Sequence, residues 1–428
     1  MPIELIFALL VLLALLGAPL FAVILGAAMA GFHALGVDLQ VVAIELYRMA
    51  DTPVLAALPL FTFAGYLLGE SRASERLVRL TRAFLGWMPG GLAVVAFVAC
   101  ALFTAFTGAS GVTIVALGAL LLPALREAGY GERFSMGLVT TSGSLGLLLP
   151  PSLPLILYGI VAQQLDAGEA VSLDDLFLAG LLPGLLMVAM LSGWSLWANR
   201  GGGAPPTKFS WREAGAALRA AAWEIPLPFV VLGGIYGGVL ALSEAAAATA
   251  LYVLIVEVLI YREIPLRELP GVTRDSMAMV GGILIILGVS MASTNVLIDA
   301  EVPAKLFALI QRHVTDRLAF LMLLNVLLLV LGAILDIFSA IVVMVPLILP
   351  VAVSYDVHPL HLGIVFLANM QIGYVTPPVG MNLFIASYRF RRPVTELYRA
   401  ALPFMLVLLA AVLVITYLPW LTMALVGE

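Results

Sequence analysis

Gly146-Leu147-Leu148-Leu149-Pro150-Pro151 and Gly373-Tyr374-Val375-Thr376-Pro377-Pro378 stand in opposite halves of this chain, each inside an apolar run. In both, a glycine precedes a double proline by four residues. The landmarks upstream keep the same order: Leu122-Pro123 then Gly137 in the first copy, Leu349-Pro350 then Gly363 in the second. Before these lie a broken hydrophobic run and a short charged stretch, Glu75-Arg76-Leu77 in one copy and Ala304-Lys305-Leu306 in the other. An interior proline costs a helix ~3 kcal/mol or more, and a pair removes two adjacent donors. The motif therefore predicts a helix broken near its middle, and predicts it twice.

The composition says where these helices sit. Of 428 residues, 63% are hydrophobic and 11% charged, with mean hydropathy +1.12. Soluble domains are about 45–50% apolar and about 25% charged, so a cytosolic enzyme, a nucleic-acid binder and a disordered chain are excluded. At roughly 20 residues per span the chain can supply on the order of a dozen membrane segments. Apolar runs occupy 3–35, 53–70, 92–125, 134–165, 176–198, 226–242, 244–261, 275–297, 318–354, 359–388 and 402–425. Two of them, 92–125 and 318–354, are too long for one span. The first is interrupted at Thr107-Gly108-Ala109-Ser110-Gly111 and the second at Asp336. Each is either two crossings or a re-entrant hairpin.

Charge sets an orientation. Arg72/Arg76/Arg79/Arg82, Arg126/Arg133, Arg200/Lys208/Arg212/Arg219, Arg262/Arg267/Arg274 and Arg389/Arg391/Arg392/Arg399 all fall on one side, and the acidic segment Asp166–Asp175 falls on the other. The positive-inside rule then puts the N-terminus in the cytoplasm and the C-terminus in the periplasm, with Lys305, Arg312 and Arg317 as exceptions. The start, Met1-Pro2-Ile3-Glu4, has no basic n-region, so a retained first helix is expected rather than a cleaved signal. The single cysteine, Cys100, reads as a small buried hydrophobe. The two copies begin on opposite sides, which is the inverted-topology repeat of secondary transporters. The expected divisions are 1–200 (first half, re-entrant hairpin 92–125, broken helix 134–165), 201–225 (linker and amphipathic surface helix), 226–274 (scaffold helices) and 275–428 (second half, re-entrant hairpin 318–354, broken helix 359–388).

Carbonyls freed at a break cannot stand bare in lipid; they are buried in protein or face a wet cavity. Thr140, Thr141, Ser142, Ser144 and Ser152 cluster round the first break, and Asn369, Gln371, Thr376 and Asn382 round the second. Neutral oxygens with unwound carbonyls suit a monovalent cation, and free N–H groups at half-helix starts suit a carboxylate. The competing account is a packing kink whose hydroxyls bond back to their own helix. Asp336 lies in an apolar run, where a charge costs about 2.5–3.5 kcal/mol, so it needs a partner or a wet site. Glu244 is as well placed to cap a helix as to act in function. His358 and His361 flank Pro359 with no third ligand, which disfavours a metal site. Gly233/Gly234 and Gly237/Gly238 read as close helix contacts. Residues 200–212 read as a linker, and Trp211 to Trp223 as a surface helix with Arg212 and Arg219 at headgroup level. With no phosphate-binding loop, nucleophile elbow or HExxH, neither an ATP-driven pump nor an enzyme is expected.

Taken in order, Phe103 through Ser110-Gly111 to Pro123, Gly129-Tyr130, Gly146 to Pro151, Gly233-Gly234 with Ser243-Glu244-Ala245-Ala246, Tyr261-Arg262-Glu263, Leu331-Gly332 with Asp336, and Thr376-Pro377-Pro378-Val379-Gly380 resemble the large membrane subunit of TRAP transporters, the DctM-like family. The resemblance runs through nearly the whole chain. It implies an all-α polytopic inner-membrane protein of the ion-transporter-superfamily type, working as a sodium-coupled elevator importer of organic acids. A small membrane subunit and a periplasmic substrate-binding protein are the implied partners, and sodium ions, rather than a cofactor, are the coupling species. One implied cation site joins Thr107, Gly108, Ser110 and Thr113 to Gly146, Leu149 and Pro150. The second joins Gly332 and Asp336 to Gly373, Thr376 and Pro377. Ser142, Ser144, Ser152, Asn369, Gln371 and Asn382 are the candidates for a carboxylate substrate, such as a C4-dicarboxylate. The alternative is a stand-alone sodium-coupled divalent-anion transporter of the same fold, without a binding protein. At the first tip this chain reads Ser110-Gly111-Val112-Thr113 where the family has serine-glycine-serine, and at the second Leu335-Asp336-Ile337 where it has methionine-aspartate-proline.

Overall fold

The computed structural model describes residues 3–50, 52–88, 90–165, 171–199 and 209–426, and among them there are helices and turns but no strand. The stretch 201–208 of the expected linker, with Arg200 before it, and the acidic residues 166–170 lie outside the described residues, as do Met1 and Pro2. The first half comprises α1 (Ile3–Leu15), α2 (Leu20–Leu35), α3 (Gln40–Ala50), α4 (Ala57–Glu70), α5 (Ala73–Leu85), α6 (Gly91–Thr107), α7 (Ser110–Glu127), α8 (Glu132–Ser142), α9 (Leu153–Gln163) and α10 (Leu173–Ala198). Then follow α11 (Trp211–Ala220), α12 (Pro226–Tyr236), α13 (Leu242–Leu254, continued by a wide turn to Ile260) and α14 (Leu269–Asp299). The chain ends with α15 (Val302–Gln311), α16 (Arg317–Gly332), α17 (Ile337–Val353), α18 (Pro359–Gly373), α19 (Met381–Phe390), α20 (Val394–Tyr417) and α21 (Trp420–Met423).

Several expectations need correction. The run 3–35 is two helices packed on each other, because Pro19 cannot donate to a continuing helix and starts α2 instead. The division at 274/275 cuts α14, which runs unbroken for 31 residues. The helices α3, α5 and α15 were not among the expected spans. Both α5 and α15 carry the charged stretches noted above, and each directly precedes a hairpin. Among the described residues, five helices are individually long and apolar enough to cross a membrane: Ser110–Glu127, Leu173–Ala198, Leu242–Ile260, Leu269–Asp299 and Val394–Tyr417. The remaining apolar sequence is divided into shorter pieces by the hairpin tips and the breaks.

The first long run folds as a helical hairpin of α6 and α7. At 1.5 Å per residue, α6 is about 26 Å long, short of a hydrocarbon core of about 30 Å. Its tip does not reach water: Thr107 and Gly108 are buried, and the Thr107 backbone abuts Gly65 inside α4. The second hairpin, α16 and α17, closes at Ala333–Asp336, with Gly332 pressed against Gly373. On the outer face of α16, Leu318, Met322, Val326 and Val330 are more than half exposed at helical spacing, while Asn325 on the inner face is buried. An apolar exterior over a polar interior is the pattern for a lipid solvent.

The two halves interlock. The second hairpin arm of the first half, α7, packs on α19 of the second, and α17 packs on α9 of the first. Likewise α10 packs on α18 and α20 on α8. Each contact has its reciprocal, as an approximate two-fold axis between the halves requires. The helices α2, α3, α4, α13 and α14 pack together beside this core, with α14 against α2, α3 and α4, and α13 against α4, and they meet the core where α4 packs on α6 and α14 on α17.

Candidate transport site

The first break unwinds from Ser142 through a tight turn, Leu145–Leu148, and resumes as a helix at Leu153. It lies against the hairpin. A side-chain carbon at Gly146 would fall 2.1 Å from the Ala101 carbonyl and 2.4 Å from the Ala105 nitrogen, both on α6. Only glycine permits that approach. Beside it, the Thr104 hydroxyl lies 2.7 Å from the Cys100 carbonyl, 2.8 Å from the Thr113 hydroxyl and 3.0 Å from the Gly143 carbonyl. One hydroxyl proton serves one acceptor, so lone pairs outnumber donors in this fully buried group. Around it, Thr107, Thr141 and Ser152 carry buried hydroxyls with no hydrogen-bond partner. Buried hydroxyls of this kind are satisfied by a bound ion, a polar ligand or an internal water.

Thr104 was not among the sequence candidates, although it lies one helical turn before Thr107 and that spacing marks a shared face. Gly108 packs on Leu153, at the start of the helix that follows the break. Gly146 already accepts the Leu149 N–H at 3.0 Å, which closes the turn. The Leu149 side chain packs toward Gly184 of α10. Ser110 and Pro150 are buried at the tip and the break.

The second break is built alike, with different partners. Here Gly373 meets Gly332: a side-chain carbon on Gly373 would lie 2.4 Å from the Gly332 Cα. The Ala333 carbonyl at the hairpin tip accepts the N–H groups of Val379 at 3.2 Å and Gly380 at 3.4 Å. Asp336 finds its partner in its own helix, where Oδ1 accepts the N–H groups of Phe338 and Ser339, each at 3.0 Å. It is the N-cap of α17, which satisfies donors that would otherwise be orphaned. The half-buried Thr376 donates to the Ile372 carbonyl at 2.9 Å, as a kinked helix does, and Pro377 is exposed. Both double prolines have cis peptide bonds.

The substrate candidates do not all converge. Asn382 donates to the Thr140 carbonyl at 3.3 Å and so joins the two broken helices directly. Asn369 bonds instead to Asn325 at 2.6 Å, with Thr416 beside it, and Gln371 reaches Met187 of α10 at 3.5 Å. Two residues apart on a helix, Asn369 and Gln371 point about 200° apart, so one ligand cannot meet both without rearrangement. Asn369, Gln371 and Asn382 each keep a buried carbonyl oxygen without a partner. Ser142 and Ser144 bond back to Val139 at 3.2 Å and Thr141 at 3.4 Å. His361 is buried between Thr422 and Thr416, and no group of three potential metal ligands occurs among the described residues. Glu244 caps α13 through the Ala241 N–H at 2.9 Å.

Near the end of α9, a cleft of about 340 Å³ opens between α3, α9, α14 and α17, lined by Glu45, Arg48, Gln163, Gln164, Thr294 and Asn295 among others.

Two hairpins facing two broken helices in an all-helical membrane chain define a transporter fold, and solved transporters share it. The YdaH transporter of Alcanivorax borkumensis matches with a TM-score of 0.62 at 14% identity, over 90% of this chain and 89% of that one. The MtrF structure from Neisseria gonorrhoeae matches at 0.57 and 12% identity, over 89% and 83%. The chain belongs to the family described as the tripartite ATP-independent periplasmic transporter, DctM component, whose family model matches residues 5–421. The C4-dicarboxylate TRAP transporter large permease protein of Rhodobacter capsulatus is 34% identical, covering 98% of each chain. The isethionate TRAP transporter permease protein DctMQ of Oleidesulfovibrio alaskensis is 33% identical over all of this chain, which spans 66% of that protein. The ectoine/5-hydroxyectoine large permease of Ruegeria pomeroyi is 31% identical over 97% and 96%.

Proposed function

We propose that this large permease subunit is a sodium-coupled symporter that imports an organic acid, a C4-dicarboxylate or related carboxylate, across the bacterial inner membrane. The observation that carries this reading is the pair of breaks, each set against a hairpin, the first flanked by the buried, unpartnered hydroxyls of Thr107, Thr141 and Ser152. Sodium is a hard cation that such oxygens bind without a permanent charge, and a bound cation supplies the positive field a carboxylate needs. In the first site Thr104 and Thr113 join Thr107, Ser110 and the turn at Gly146; in the second, Gly332, Gly373 and Thr376 line the break while Asp336 fixes the hairpin tip. Asn382, which bridges the two broken helices, and Ser152 are the best placed to meet the substrate. The interlocked core would move as one body against α2–α4, α13 and α14, in the manner of an elevator. A small membrane subunit and a periplasmic binding protein complete the proposed transporter, with the N-terminus cytoplasmic and the C-terminus periplasmic.

Uptake into proteoliposomes tests this. It should require a sodium gradient, rise steeply with sodium concentration and depend on the binding protein. Undiminished uptake driven by protons in sodium-free buffer overturns the coupling, and uptake without a binding protein favours the stand-alone alternative.

A further inference from the structure

We infer that the cleft between α5, α7 and α11 is a binding site for the headgroup of a zwitterionic ethanolamine phospholipid. The cleft encloses about 530 Å³ and is separate from both breaks. Along α5, Glu75, Val78, Arg79 and Arg82 fall on one face at helical spacing; Leu120 of α7 adds an apolar wall, and Phe209, Ser210 and Glu213 close the other side. Trp87 lines the cleft with half its surface exposed, and Phe209 stacks edge-on with the exposed Trp211 at 4.9 Å. Amphipathic helices with exposed tryptophan and arginine lie at the level where acyl chains give way to headgroups.

The charges select the occupant. Among the described residues, Glu75, Arg79, Arg82 and Glu213 carry two charges of each sign, which matches a headgroup bearing one of each better than a headgroup with a net charge. Arg79 and Glu213 are bonded to each other at 2.8 Å. Glu75 and Arg82 line the same cleft, and neither has an ion pair among the described residues. They stand two helical turns apart, about 10 Å along the axis, and long side chains reach inward from both ends. Ethanolamine phospholipids carry one phosphate and one ammonium with three donors. Arg82 would take the phosphate through its planar fork, and Glu75 would accept from the ammonium. A choline headgroup has the same charges but no N–H to give Glu75. The acyl chains would run past Val78, Leu120 and Trp87.

The test is thermal unfolding of the full-length protein in detergent, titrated with dioleoyl phosphatidylethanolamine, phosphatidylcholine or phosphatidylglycerol. A ligand that binds only the folded state raises the midpoint saturably. Phosphatidylethanolamine should do so well below the concentrations at which the other two act. Both Glu75→Gln and Arg82→Gln should weaken its apparent affinity by roughly tenfold, since each removes the charge from a charge-assisted hydrogen bond. Arg274→Gln, away from the cleft, should leave it unchanged. Native mass spectrometry should show retained phosphatidylethanolamine in the parent protein and less in the two variants. Equal shifts with all three lipids, or phosphatidylglycerol acting as well with Glu75→Gln silent, overturns the proposal.

Discussion

Thr104 and Thr376, proposed for the first and the second cation site, sit in different hydrogen-bonding surroundings. Thr376 donates to its own helix, so Thr376→Val should cost about 0.5–1.5 kcal/mol of stability for one hydrogen bond. Thr104 lies among three oxygens from α6, α7 and the first break. On the proposed mechanism Thr104→Val should raise the sodium concentration for half-maximal uptake much more than it lowers the melting midpoint. Uptake with normal sodium dependence in a well-folded Thr104→Val protein would remove that oxygen from the site. Glycine at the breaks makes a second residue-scale case. Gly146→Ala drives a methyl into the α6 backbone, which cannot move aside as a side chain can. A loss of about 1–3 kcal/mol is expected, as for an overpacked core, read as a lower midpoint in detergent.

Among the elements, α5 is held by a buried ion cluster. Arg76 bonds to Glu224, Glu257 and Glu263 at once, and its guanidinium lies 4.0 Å over the Tyr261 ring. It is only 10% exposed, and Glu257 is fully buried. Arg76→Ala would leave carboxylates buried without a counter-charge and should cost about 3–5 kcal/mol. Lysine should not rescue it, because a point charge cannot face three carboxylates as a planar fork does. One turn on, Arg79 holds the Glu213 carboxyl below its usual pKa, chiefly by a hydrogen bond. The stability from that pair is present at neutral pH and is lost as pH falls through the lowered value of the folded state, so the docking of α11 on α5 should loosen in acid. The sequence disclosed the breaks and hairpins because proline and glycine act on the backbone wherever they stand. It concealed α5, whose mixed charge satisfies no spanning rule, and α15, which is apolar but too short to span. It also concealed Asn325 and Thr104, which matter only through what the fold brings beside them. Asn369 and Gln371 misled in the opposite sense: proximity in sequence suggested one site, and the helix turns them apart.

For the molecule as a whole, the proposed orientation can be read by labelling single cysteines after Cys100 is replaced. Positions near Arg126 and Arg391 should react from the cytoplasm, and positions near Asp174 and Asp356 from outside. Reaction of Arg126 and Asp356 positions from the same face would contradict the inverted arrangement. The reciprocal packing of α7 on α19 and α17 on α9 has a bearing on how the protein is made. A ribosome that has translated only as far as Asn199 has released a first half whose α7, α8 and α9 are each missing a neighbour from the second. In that nascent chain the unwound segment is covered by α6 and α10 but lacks its contact with α18. Fragments divided between Asn199 and Phe209 should therefore accumulate only when both are expressed together, and either one alone should be cleared by membrane proteases.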